Sequence, residues 1–440
     1  MNRTSHIPTL FAGALLILLA GPEAARGQPP TGQAAQPNCV TCHQVLEGPE
    51  AETGPVHDFR MSSHAEAGLS CAACHGGDPE PPADLEGFDY TPAKGPGTGF
   101  RGVPAREDVP DFCGRCHSDP EHMRRYDPRM RVDQERLYWT SGHGEALRQG
   151  DEDVATCVDC HTSHRILPAS DPRSAVAPGQ VPSTCASCHA DPAVMEGTGH
   201  GTAMIEEYEG SVHGIALLQE GETGAPACND GHGNHGAAPP GVDSVSAVCS
   251  QCHISNAADF RSSPHGPVFE AMGLAQCEAC HGNHAIEPTS DALLDEGGVC
   301  TDCHVPGDPG METAQTMLSD LTTLEETIGG ARALLEEGAR KGVIVEPGVL
   351  TLEQARNSLI RGRAAVHTFS VAGLREVTAP GMEAAAEAYR TGAAALEEFD
   401  TRRRGWGLFL VLSVIVVAGL GLLIRRIERP GGPHPLKEPE

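Results

Sequence analysis

Residues 138–147 read YWTSGHGEAL, residues 157–166 read CVDCHTSHRI, and residues 185–192 read CASCHADP. The same three strings return in the same order. YEGSVHGIAL (208–217), CNDGHGNHGA (228–237) and CSQCH (249–253) make a second copy. FRSSPHGPVF (260–269), CEACHGNHAI (277–286) and CTDCH (300–304) make a third. A looser copy precedes them: FRMSSHAEAG (59–68), CAACHGG (71–77), a Pro/Gly-rich insertion over 78–110, and CGRCHSDP (113–120). One further motif, CVTCH (39–43), leads the series. An internal repeat of this kind governs the fold, because each unit must bury itself against its neighbours or against something the units share.

The shared element is C-x-x-C-H. It occurs complete eight times, with thiols at Cys39, Cys42, Cys71, Cys74, Cys113, Cys116, Cys157, Cys160, Cys185, Cys188, Cys249, Cys252, Cys277, Cys280, Cys300 and Cys303. The following histidines are His43, His75, His117, His161, His189, His253, His281 and His304. Cys228 is the one cysteine outside them. It opens CNDGH, where Gly231 replaces the second Cys and His232 is kept.

C-x-x-C-H is the attachment sequence of c-type haem. Two thiols add across the two vinyl groups, and the adjacent His reaches the iron as proximal ligand. Zinc sites also use paired cysteines, but they do not require His directly after the second one. With 22 His in 440 residues, chance would place His after all eight pairs on the order of 10⁻¹¹ of the time. Disulfide scaffolds and thioredoxin-like redox pairs fail on the same point. CNDGH stands where the repeat expects a motif: either a ninth haem is held there by one thioether and His232, or that haem is lost and Cys228 is left a free thiol.

The repeat also offers second ligands. Each unit opens with a His in an S-x-H-G-like context: His64, His143, His213 and His265. Three units carry a His three residues after the proximal one: His164, His235 and His284. That offset does not reach the opposite face of the same haem, but it suits a neighbouring one. His367, the only His in the stalk, completes the distal set and is assigned to the haem of His304. His57, His122 and His200 lack the repeated context and are held in reserve.

Composition fits a chain packed around cofactors. Net charge is −29, aromatic residues are 4%, and there are 52 Gly and 35 Pro. Those values lean toward a solvated chain. Residues 39–310 provide roughly 34 residues per complete motif, too few to bury a conventional core, so the macrocycles are expected to supply it. The acidity excludes a nucleic-acid partner, since no basic patch is present to neutralise phosphates.

The expected organisation is a signal peptide over 1–27, a linker over 28–38, and a multihaem domain over 39–310. The two-haem repeats within it run about 59–118, 137–192, 208–257 and 260–310. A helical stalk over 311–404, a transmembrane helix over 405–424 and a cytoplasmic tail over 425–440 follow. The amino-terminal segment has Arg3, a short apolar run from Leu10 to Ala20, and small residues at Ala25 and Gly27. GWGLFLVLSVIVVAGLGLLI (405–424) is 20 residues without a charge, flanked by Arg402–Arg404 and by Arg425, Arg426 and Arg429. Arginine on both sides leaves the orientation to the signal peptide, which places the haem domain on the extracytoplasmic side and Trp406 at the outer interface. In the stalk, apolar stripes at heptad-like spacing predict three helices. They run Met317–Leu321–Leu324–Ile328–Ala331–Leu335, Leu352–Ala355–Leu359–Gly362–Val366–Phe369, and Met382–Tyr389–Leu396–Phe399. Gly342–Gly348 and Ala379-Pro380-Gly381 are read as the breaks between them.

With paired C-x-x-C-H units, S-x-H-G and C-x-x-C-H-x-x-H in place, the chain resembles multihaem c-type cytochromes of the cytochrome c3-like and doubled-CxxCH families. It is also similar to membrane-anchored tetrahaem respiratory cytochromes. The resemblance covers roughly 39–310. It implies a mainly α, coil-rich, haem-packed domain with low-potential bis-His haems in a closely spaced chain. Two departures are the carboxy-terminal anchor, where the tetrahaem quinol dehydrogenases are usually anchored at the amino terminus, and Gly231. The expectation is an electron-transfer protein, or a subunit of a redox complex, rather than an enzyme. Its partners would be the membrane, redox proteins and a quinol-oxidising membrane subunit. The competing expectation is a reductase of nitrite, hydroxylamine or a sulfur oxyanion with one open haem, although no C-x-x-C-K motif is present.

Overall fold

The structure, a computed structural model, describes residues 37–47, 53–80, 91–236 and 245–428. The signal-peptide reading and most of the carboxy-terminal tail lie outside the described residues. Among the described residues the chain is mainly helical, with no strand. It divides into two compact units, one ending at Val245 and one beginning at Ser246.

In the first unit the helices are short because Gly and Pro punctuate the sequence every few residues. Motif cysteines sit in single helical turns, Cys71–His75, Cys157–His161 and Cys228–His232, close slightly longer helices, Val109–His117 and Val181–His189, or lie within one, Pro37–Glu47. The single turns stop on a residue with positive φ: Gly76 at 67°, Thr162 at 63° and Gly233 at 78°. CNDGH therefore folds as its complete counterparts do. Burial is sparse. One small cluster gathers Val181, Leu217 and Ala227, with Cys185, Tyr208 and Cys228 packed against it.

The opening strings share one local device across both units. Ser62, Ser141, Ser211 and Ser263 are buried. Each hydroxyl donates to the carbonyl of the aromatic residue three positions earlier: Phe59, Tyr138, Tyr208 and Phe260, at 2.6–2.7 Å. The same oxygens accept the N–H of Ala65, Gly144, Gly214 and His265, which starts the helix or turn that carries the unit's first histidine. A Cβ at Gly144 or Gly214 would stand 2.1 or 2.0 Å from the Tyr138 or Tyr208 carbonyl, so only glycine fits.

The second unit is built on three long helices, Pro309–Arg340, Glu346–Ala365 and Val371–Ile427. The first stripe is buried as the spacing predicts, from Met317 to Leu335, with Leu321, Leu324 and Ala331 at 0% exposure. In the second helix Leu352, Ala355, Leu359 and Gly362 are buried.

The third stripe differs from expectation. Tyr389 is 47% exposed, and Met382, Leu396 and Phe399 are only half-buried. The buried line is instead Leu374, Thr378, Gly381, Ala385, Ala388, Gly392 and Ala395. Its small residues let the helix approach its neighbours closely. A Cβ on Gly381 would meet Ser358 Cβ at 2.4 Å, and one on Gly392 would meet Leu334 Cβ at 2.6 Å.

The expected break at Ala379-Pro380-Gly381 is also absent, since Pro380 lies inside the helix. Packing on both sides outweighs the one backbone hydrogen bond that proline removes. The actual break is a 3₁₀ turn, Val366–Thr368, ending at Phe369 with φ 49°.

The last repeat belongs to the same compact unit as the helices. Leu294 joins their core and Cys300 packs against it. Arg363 on the second helix bonds Asp291 at 2.8 Å and Glu325 at 3.0 Å. The third helix runs unbroken from the bundle into an apolar stretch of mean hydropathy 2.8, none of it buried, that is long and apolar enough to cross a membrane.

Candidate functional site

The functional residues recur as pairs of imidazoles. In the first unit His64 faces His117 with ring centroids 5.9 Å apart, His75 faces His164 at 6.2 Å, His143 faces His189 at 6.0 Å, and His161 faces His235 at 6.0 Å. In the second, His265 faces His304 at 6.0 Å and His281 faces His367 at 6.1 Å. Each pair joins a histidine of a C-x-x-C-H motif to one outside it. His367 thus faces His281, not His304 as its position in the stalk had led us to expect. The turn that carries His367 is the break between the second and third helices, which the sequence placed elsewhere.

The pairs follow a rule. A unit's opening histidine meets the closing motif of its own unit: His64 with His117, His143 with His189, His265 with His304. The histidine three residues after a middle motif meets the middle motif of the preceding unit: His164 with His75, His235 with His161. That second pairing is the neighbour arrangement the offset implied.

The spacing is the informative quantity. Across the six pairs it varies by only 0.3 Å, while the interplanar angle runs from 7° to 81°. Direct ring contact couples distance to angle, since stacked and edge-on rings prefer different separations. A constant distance at free rotation is what a single metal between two nitrogens imposes. With metal–imidazole bonds of about 2.0–2.1 Å, two trans ring nitrogens stand about 4 Å apart and the centroids roughly 6 Å apart. The residues fit an iron held between two histidines.

Orientation of the rings agrees. His75 Nδ1 donates to the Gly102 carbonyl at 2.9 Å, and His367 Nδ1 donates to the Ala364 carbonyl at 2.8 Å. His304 Nδ1 donates to Asp308 Oδ2 at 3.0 Å. A proton fixed on Nδ1 leaves the Nε2 lone pair free for a metal. Asp308 also caps the first long helix by accepting Met311 N–H at 2.8 Å, so one carboxylate both orients the His304 ring and starts the stalk. Burial pushes the imidazoles of His64, His117, His143, His164, His189, His235 and His281 below the ordinary range, and that of His161, buried beside His235, down to about 4.

The thiols also show order. Cys113 is hydrogen-bonded to Cys157, Cys185 to Cys228, and Cys249 to Cys277. In each case the first cysteine of a closing motif meets the first cysteine of the next unit's middle motif. Burial and this bond push Cys157, Cys185 and Cys277 upward. Cys228 thus occupies the same place as Cys157 and Cys277. Its helix is held as that of Cys157 is, with Ala227 N–H donating to Asp230 Oδ2 at 2.8 Å where Thr156 N–H donates to Asp159. Among the described residues no three His, Cys, Asp or Glu side chains converge into a cluster of the kind a structural zinc ion needs.

His213 follows the Ser211 cap, His232 ends the CNDGH turn, His253 precedes Ile254–Ser262, and His284 N–H bonds Asn283 Oδ1. Of the reserve histidines, His57 contacts Asp58, His122 lies against Tyr126, and His200 N–H bonds Thr198. His43 differs from the six paired motif histidines: its Nε2 lies 3.2 Å from Lys94 Nζ.

Sequence reasoning missed Lys94, Asp308, Phe369 and the four capping serines. The serines had a signal, the recurring aromatic-x-x-Ser-x-His. Phe369, whose ring lies 4.0 Å from His265, and Lys94 had none. No family model, curated protein or solved structure matches the chain.

Proposed function

We propose that this chain is a membrane-anchored multihaem c-type cytochrome that carries electrons along a chain of haems. The route would run from a membrane respiratory donor to a periplasmic or extracellular acceptor. The observation that carries this reading is the near-constant 6 Å separation of His pairs, each with one member in a C-x-x-C-H motif. When bound, haem c supplies one-electron redox chemistry. The cysteines of each motif would hold it covalently and the paired imidazoles would ligate it, with burial around the rings and hydrogen bonds to Nδ1 tuning its potential. Two strong ligands on an iron leave no position for substrate, which favours a conduit over a reductase.

At CNDGH, Cys228 and His232 hold a ninth haem through a single thioether. The third long helix anchors the protein, with the motif-bearing residues outside the cytoplasm. One span does not form a quinone site by itself, so a quinol-oxidising membrane subunit or another redox protein is the donor.

The test is low-temperature EPR of the oxidised, purified protein, alongside a haem count. Low-spin signals alone, with eight or nine haems per chain, support the conduit. A high-spin signal that shifts on adding nitrite, hydroxylamine or sulfite replaces it with the reductase reading. A chain that matures without haem removes both.

A further inference from the structure

We propose that the leading motif, CVTCH, is completed by an amine: Lys94 is the second axial ligand opposite His43. This inference rests on the haem reading above and adds a ligand type that the repeat does not contain.

A middle motif's histidine is met by the residue three places after the next unit's middle motif, as His75 is met by His164 and His161 by His235. The unit after CVTCH has CAACHGG, and three places beyond His75 stands Asp78 rather than His. The leading haem is therefore denied the ligand that the rule would give it. The group found at His43 Nε2 is the Lys94 ammonium nitrogen, at 3.2 Å. Two nitrogens sharing one iron stand about 4 Å apart, so the lysine need withdraw by less than roughly 1 Å, well within the play of its four-carbon stem.

Lys94 is not a chance surface contact. It belongs to the insertion over 78–110, which the other units lack, and the insertion is folded back onto CAACHGG. Asp78 N–H donates to the Ala93 carbonyl at 2.9 Å, Arg101 N–H to the His75 carbonyl at 2.8 Å, and His75 Nδ1 to the Gly102 carbonyl at 2.9 Å. The approach is so close that a Cβ on Gly76 would lie 2.0 Å from the Gly99 carbonyl, and one on Gly77 2.7 Å from that of Ala93. Lys94 also lies 5.2 Å from the centre of the Phe100 ring, which steadies its stem. The insertion that displaced the expected histidine thus brings its own donor. Ligation takes the neutral amine, its proton passing to water.

The experiment uses the full-length, haem-loaded protein and its Lys94→Ala and Lys94→His variants. Haem is counted by intact mass and by the mass of the peptide carrying Cys39 and Cys42. Spin state and ligand type are read by EPR and near-infrared magnetic circular dichroism. The expected native spectrum contains one low-spin haem with an imidazole–amine charge-transfer band. Lys94→Ala should convert one haem equivalent to high spin with the haem count unchanged, and Lys94→His should restore low spin with a bis-imidazole band. Native spectra showing only bis-imidazole bands overturn the proposal even if a variant fails to mature. So does Lys94→Ala with every haem still low-spin. A peptide 39–43 without haem would instead defeat the underlying haem reading at this motif.

Discussion

His281, in CEACH, and His367, in the turn between two long helices, face each other with ring centroids 6.1 Å apart. Both lie in the compact unit that begins at Ser246. The turn that carries His367 also places the Phe369 ring 4.0 Å from His265, the partner of His304. The long-helix bundle therefore does more than hold the apolar segment: it closes the sites of the last two motifs.

Replacing His367 tests this directly. His367→Ala removes one ring from the pair without touching the bundle core, since the buried stripe of the second helix ends at Ala365. One haem equivalent should turn high-spin in EPR, while far-ultraviolet circular dichroism stays that of the native protein. An unchanged low-spin spectrum would mean that His367 is not a ligand.

Gly231 has open space where a side chain would project, with nothing within 4 Å of a built Cβ. Gly231→Cys should therefore fold and complete the motif. The native protein should hold nine haems by intact mass and show a red-shifted shoulder in its pyridine haemochrome spectrum, from the one vinyl group left unreacted. The variant should keep nine and lose the shoulder. A native count of eight would sink the single-thioether reading.

Thr162 is the one β-branched residue among the positions that terminate the single-turn motifs, at φ 63° where Gly76, Gly233 and Gly282 stand in the other copies. That region strains a residue with a branched Cβ by about 1–3 kcal/mol, against roughly 0.5–1 kcal/mol of extra chain entropy for glycine. Thr162→Gly should be neutral to stabilising by about 1 kcal/mol in denaturant melts of the haem-loaded protein. A clear loss of stability would mean that the Thr162 side chain contributes a contact of its own.

Ser141 both donates to Tyr138 O at 2.7 Å and accepts Gly144 N–H at 3.1 Å. Ser141→Ala should cost about 1 kcal/mol as a lost helix cap, more if the buried N–H finds no other partner. It should also loosen His143 opposite His189, visible as a shifted or broadened g-value for one low-spin haem. Loss of stability with no spectral change would limit Ser141 to a structural role.

The third helix separates two otherwise similar changes. Gly381→Leu would drive a side chain into Ser358 and should cost about 1–3 kcal/mol or more by overpacking. Tyr389→Ala, at a position the heptad reading placed in the core, should change stability by roughly 0.5 kcal/mol or less because the ring is 47% exposed. Thermal melts of the two variants decide between the stripes, and the reverse ranking would restore the sequence-based one.

The repeat, the motif turns and the first helical stripe were legible in the sequence because each depends on residues close along the chain; the second stripe held only from Leu352 to Gly362, since Val366 and Phe369 fall in the turn that ends the helix. Spacing alone placed Met317 to Leu335 on one face, and the kept Cys228 and His232 marked CNDGH as a repeat position. The third stripe was misread because large apolar residues look like core, whereas close helix packing there selects Gly381, Ala385, Ala388 and Gly392. Pro380 was read as a break because proline lacks the N–H a helix needs, and tertiary contacts along both faces outweighed that local loss. The partners of the histidines were the least legible. Which ring faces which is set by how units pack, so His367 meets His281, and His43 meets a lysine from an insertion. The sequence by itself determined which chemistry-bearing side chains recur and at what spacing, because Cys and His of one motif lie within five residues of each other. Only the tertiary structure decided which groups share a site, because a site between segments distant in the chain exists only once they have packed together.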